Sequence, residues 1–120
     1  VTIIPYKTKE ALSEYRKNWY QKNKERHKQK VKERQRQVKI EVINHYGGKC
    51  ACCGESIMDF LAIDHIEGGG GQHRESIGKK GTQFYSWLKE NGYPPGFQVL
   101  CHNCNISKFI NGGYCIHQLM

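Results

Sequence analysis

At 120 residues the chain has room for one compact domain and an appendage, and not for two independent cores. Nineteen Lys and Arg against eleven Asp and Glu leave a net charge of +8, and all of it sits at one end: residues 1–46 hold 13 basic and 5 acidic side chains, the other 74 hold 6 of each. No run of about 18 apolar residues occurs, and the apolar opening Val1 to Ile4 stops at Pro5, so neither a membrane span nor a secretory leader is expected, and a cytoplasmic location is.

Between residues 5 and 30, Leu12 is the only member of the Val, Ile, Leu and Phe set, so this stretch cannot bury a core. It is rich in helix formers, and neither Gly nor Pro occurs from Tyr6 to Tyr46. Leu12, Tyr15 and Trp19, then Val38, Val42 and Tyr46, recur at helical spacing. These features predict a long basic helix from about residue 9 to 45, continuous or broken near Asn23. At 1.5 Å per residue it would span roughly 55 Å, more than a small domain can cover, so it needs another partner. Heptad positions lapse across residues 21–30, which argues against a coiled coil. Phosphates are the better match, with Arg16, Lys17, Lys24, Arg26, Lys28, Lys30, Lys32, Arg34 and Arg36 as the contacting side chains. Tyr15, Trp19 and Tyr20 either stack on nucleic acid or pack against a domain or a second copy. Residues 1–46 are thus read as a nucleic-acid-binding arm and 47–120 as the globular domain.

Gly47 and Gly48 end the helix as a left-handed cap would. Two cysteine pairs with two-residue gaps lie beyond it, Cys50-Ala51-Cys52-Cys53 and Cys101-His102-Asn103-Cys104. Two such knuckles supply the four thiolates of a closed tetrahedral zinc site, and without a secretion signal zinc outranks disulfides. Cys52 reads as a bystander; Cys115 and His117 make at most a weak ligand pair. Between the knuckles, residues 60–66 read as a strand, Gly68 to Gly71 as a loop followed by a polar linker, 82–91 as a helix, Tyr93 to Gly96 as a turn and 97–100 as a second strand; 103–110 reads as a closing helix. The fold class expected is α+β.

Ala62-Ile63-Asp64-His65-Ile66 and Phe97-Gln98-Val99-Leu100-Cys101-His102-Asn103-Cys104-Asn105, bracketed by the knuckles, resemble the HNH, or His-Me finger (ββα-metal), nuclease superfamily over residues 48–111. Within it, the pattern resembles phage-encoded HNH endonucleases and the junction-resolving endonuclease VII group. The resemblance implies a zinc-stabilised ββα-metal domain that hydrolyses DNA phosphodiesters in a bacterial or phage-infected cytoplasm. Asp64 and Asn105 would hold one Mg²⁺ or Mn²⁺, and His65 would activate the attacking water. The chemistry agrees: a carboxylate and an amide oxygen suit a hard cation, and an imidazole is the natural base near neutral pH. His73 and Arg74 become candidates for a phosphate contact or a second proton-transfer group, or belong to a solvated polar loop; Lys108, one turn past Asn105, either reaches a phosphate or is a surface lysine near the helix C-terminus. Glu67 can join the metal site or stay in solvent; His102 reads as a surface residue.

Two features depart from the common pattern, and strand geometry adds a difficulty. Asn105 stands where many members have His, and Gly96 where many have the Asn that orients the catalytic His, so His65 needs another partner. Asp64 and His65 are strand neighbours and face opposite ways unless a bulge intervenes. Two other readings remain open: a non-catalytic zinc-dependent DNA-binding module, and a structure-selective junction-resolving nuclease. One active site cuts one strand per visit, so a double-strand break would call for a homodimer or two encounters.

Overall fold

In the computed structural model, which describes residues 8–79 and 81–120, the arm is helical without interruption: α1 runs Lys9–His45. Val1 to Ile4 lie outside the described residues. Contacts divide the chain into a unit ending at Arg34 and a unit Gln35–Met120. In the first, Thr8 Oγ1 accepts from Ala11 N at 3.1 Å and caps the helix. Asn23 does not break it; its side-chain amide donates to Trp19 O one turn back at 2.7 Å. No described residue of this unit is buried, so propensity rather than a core sustains it.

The second unit holds the rest of α1, a 3₁₀ turn Met58–Phe60, β1 Leu61–His65, α2 Gly70–Ile77, α3 Thr82–Glu90, β2 Phe97–Cys101, α4 His102–Ile110 and α5 Ile116–Leu119. The class is α+β, with a long N-terminal helix and a two-stranded sheet. Hydrophobic spacing near the end of α1 has its consequence here: Val42 and Ile43 are fully buried with Leu61, Ile63, Phe84, Leu88, Val99, Leu100 and four cysteines. Gly48, at φ +75°, returns its amide to Ile43 O at 2.9 Å and closes the helix. Around that end, Lys89 pairs with Glu41 at 2.6 Å, His45 stacks on Tyr93 at 3.9 Å, and Tyr46 Oη donates to Pro94 O at 2.7 Å.

β1 and β2 are antiparallel in unbroken register, from Leu61 opposite Cys101 to His65 opposite Phe97. Alternation puts Leu61, Ile63 and His65 on one face and Ala62 and Asp64 on the other. The bulge that would have turned Asp64 and His65 the same way is absent from this ladder. A two-stranded sheet leaves edge amides open, and Tyr85 Oη on α3 lies 3.3 Å from one of them, Ile63 N. Burial raises the Tyr85 pKa, keeping the phenol protonated.

The expected glycine loop is shorter than its four glycines suggest. Gly68 and Gly69 have positive φ, but Gly70 and Gly71 open α2, which replaces the polar linker with a helix up to Ile77. Gly78, at φ +68°, caps its far end by donating to Arg74 O and Glu75 O. No described helix is long and apolar enough to cross a membrane.

Candidate functional site

The cysteine knuckles come together because β1 and β2 pair in register and α4 starts directly from β2. Cys101 is the N-cap of α4, its sulfur accepting from Cys104 N at 3.5 Å; Cys50 Sγ accepts from Cys53 N in the same way at 3.5 Å. Amide-to-sulfur bonds of this kind stabilise thiolates. Sγ atoms of Cys50, Cys53, Cys101 and Cys104 lie within 4.8 Å of one another, with Cys53 and Cys101 3.7 Å apart. The edge of a tetrahedral zinc site is about 3.8 Å when Zn–S is about 2.3 Å, so the cluster can hold zinc as the spacing predicted. Burial pushes the Cys50 thiol up, but hydrogen bonds from the Cys53, Cys101 and Cys52 backbone outweigh it and bring it down to about 6. Cys104 is pushed up, by burial first and then by the sulfurs of Cys101, Cys115, Cys50 and Cys53 around it.

Cys52, read from sequence as a bystander, does not stand apart. Cys52, Cys104, Cys115 and His117 form a second group whose ligand atoms also lie within 4.8 Å of one another. The signal in the sequence was the count: six cysteines with a Cys-x-His near the end leave no sulfur unplaced once α5 folds back onto α4. Burial raises the Cys115 thiol, yet hydrogen bonding led by the His117 backbone brings it down to about 7.

The second constellation lies at the far end of β1. On one sheet face, His65 stacks against Phe84 at 5.4 Å and meets Phe97 edge-on at 4.8 Å, while its Nε2 is 3.0 Å from His73 Nδ1 on α2. The orienting partner that Gly96 cannot supply is therefore His73. Close approach of α2 depends on Gly70, whose missing Cβ would lie 2.8 Å from His65 Nδ1 and 3.1 Å from an Arg74 guanidinium nitrogen. Burial, then the charges of His73 and Arg74, hold His65 below its ordinary value of 6.5 against the pull of Asp64. The ring is thus neutral at physiological pH and fit to accept a proton.

On the opposite face, Asp64 Oδ2 accepts from Gln98 Nε2 at 2.9 Å and from Lys108 Nζ at 2.7 Å. Lys108 also donates to His65 O at 2.9 Å and Ile66 O at 3.0 Å, and its side chain is only 13 % exposed. The lysine expected to reach a phosphate is committed to the sheet. Asn105 lies one turn before it on α4 and, among the described residues, its amide makes no hydrogen bond. Asp64 Oδ1 likewise receives none, so one carboxylate oxygen and one amide oxygen remain as hard donors. Arg74 is half-buried beside His65, while Glu67 and His102 are exposed. On α1, Arg16, Lys17, Arg26, Lys28, Lys30, Lys32 and Arg34 are exposed and Lys24 half-buried; Lys28 lies 4.0 Å from Glu25. Arg36, in the second unit, pairs with Asp59 at 3.4 Å.

Compared with family models, with curated proteins and with solved structures, the chain has no match in any of the three.

Proposed function

We propose that the chain is a metal-dependent DNA endonuclease of the HNH type, in which His65 is the general base and Asp64 and Asn105 hold one Mg²⁺ or Mn²⁺. The observation that carries this reading is the His65–His73 pair at 3.0 Å. An imidazole that only filled space would not need a second imidazole on its Nε2 and a glycine at its Nδ1. His73 and the two aromatic rings fix the plane of His65, and its lowered pKa leaves it unprotonated, the state in which it can take a proton from water.

Asp64 Oδ1 and the Asn105 amide oxygen, with no other hydrogen-bond partner among the described residues, are donors of the kind a hard cation takes, and these two residues would hold it. When bound, it would offset negative charge developing on the phosphate and the leaving oxygen. Lys108, by holding Oδ2, keeps the carboxylate oriented. Because His65 is the last residue of β1, the strand end is where groups from both sheet faces can address one phosphodiester without a bulge. Arg74, beside His65, is placed to attract the phosphate. The exposed lysines and arginines of α1 supply affinity without sequence readout.

The pairing of Asp64 with Lys108 favours a second reading, a zinc-stabilised DNA-binding module whose carboxylate is neutralised by lysine. Supercoiled plasmid separates the two. The proposal expects nicking by the zinc-loaded chain with Mg²⁺ or Mn²⁺ and none without; plasmid that is bound but uncut under every divalent ion would overturn it. Branched junctions offered beside linear duplex distinguish a junction-resolving preference by rate.

A further inference from the structure

We propose that the chain holds two zinc ions in one cluster, with Cys104 Sγ as a bridging thiolate: one ion in Cys50, Cys53, Cys101 and Cys104, the other in Cys52, Cys104, Cys115 and His117. In each group the ligand atoms lie within 4.8 Å of one another, and Cys104, 1 % exposed, belongs to both. The geometry around His117 is what demands the second ion. Its Nδ1 lies 3.5 Å from Cys52 Sγ, 3.6 Å from Cys104 Sγ and 3.3 Å from Cys115 Sγ. One imidazole nitrogen carries either one proton or one lone pair, so it can make one hydrogen bond, not three. Three sulfurs arranged about one nitrogen are instead the four corners of a coordination tetrahedron. With Zn–S about 2.3 Å and Zn–N about 2.0–2.1 Å, the expected sulfur-to-nitrogen edge is about 3.5 Å.

The segment that carries Cys115 and His117 is fixed to α4 and capped by hydrogen bonds of its own backbone. Ile116 N donates to Ser107 Oγ at 2.7 Å, tying the start of α5 to α4, and Cys115 N donates to Gln118 Oε1 at 3.0 Å in a capping box. The tail is thus built to present Cys115 and His117 to the knuckle. Charge agrees. Six thiolates with two divalent ions leave two negative charges, the same excess as an ordinary four-cysteine site with one. Three sulfurs and an imidazole are a soft donor set, which selects zinc over magnesium.

The test is metal stoichiometry and connectivity in the full chain, and it is independent of any nuclease activity. Elemental analysis of the purified protein is expected to give two zinc per chain. After exchange with ¹¹³Cd, NMR should show two resonances in the thiolate range, each split by the other through the shared Cys104 sulfur. His117→Ala and Cys52→Ser should each halve the metal content and leave one unsplit resonance. One zinc per wild-type chain, or two cadmium resonances without mutual splitting, would overturn the proposal. Because splitting requires a common ligand, a second ion lodged near Asp64 could not imitate the result, and the wild-type measurement decides even if a variant fails to fold.

Discussion

A methyl group on Gly70 would press on the His65 ring from 2.8 Å while His73, Phe84 and Phe97 hold the ring from other sides. Gly70 is the first residue of α2 and not at positive φ, so the backbone accepts alanine there, and the cost falls on the His65 ring, which must shift. Gly70→Ala is therefore expected to cut plasmid nicking about 10- to 100-fold through misplacement of the base in a chain that still folds; equal nicking would show that the ring position does not matter. As the proposed base, the same ring should set the acid limb of activity. Burial, His73 and Arg74 hold its pKa below 6.5, with Asp64 opposing and Lys108 assisting. A base must be neutral to act, so the rate should reach half its plateau only below pH 6.5 and drop by about tenfold per unit below the lowered pKa. A rate that already halves near pH 7 would contradict this assignment.

At the scale of elements, the structure depends on how α1 enters the core. Gly48 turns the chain at φ +75°, and a Cβ there would meet Asn44 Oδ1 at 3.3 Å. Gly48→Ala should cost about 1–2 kcal/mol, read as a lower urea midpoint with unchanged slope. This cap was legible in the sequence, as were α1, α3, both strands and the first knuckle pair, because each rests on local spacing and on residues with one strong preference. Less legible were contacts between elements. Nothing local says that Gly70 and Gly71 lie in a helix, since glycine favours loops until a tertiary contact, here His73 on His65, selects the helix. Lys108 looked like a surface lysine because its three acceptors come from the end of β1 and the residue after it, more than forty residues away. Cys52 looked idle because its partners, Cys115 and His117, reach it only after α5 packs on α4.

Across the whole molecule, charge and chemistry are divided: the basic side chains crowd residues 1–46, and the knuckles, His65 and Asp64 lie in the neutral remainder. Gln35–Met120 forms its own contact unit with both metal-ligating groups inside it. Removal of residues 1–34 should leave zinc content intact, weaken DNA binding and flatten its salt dependence, each lost phosphate contact reducing the log–log slope by about 0.9. Equal affinity and slope in the truncated chain would remove DNA as the partner of α1. The central claim is that one histidine at the end of β1 does the chemistry while the cysteine cluster holds the fold. Its most direct test is the nicking rate of His65→Ala measured beside its zinc content. The account predicts loss of at least about 100-fold in rate, within the range for a general base, with zinc per chain unchanged; nicking at the wild-type rate by a variant that keeps its zinc would contradict it.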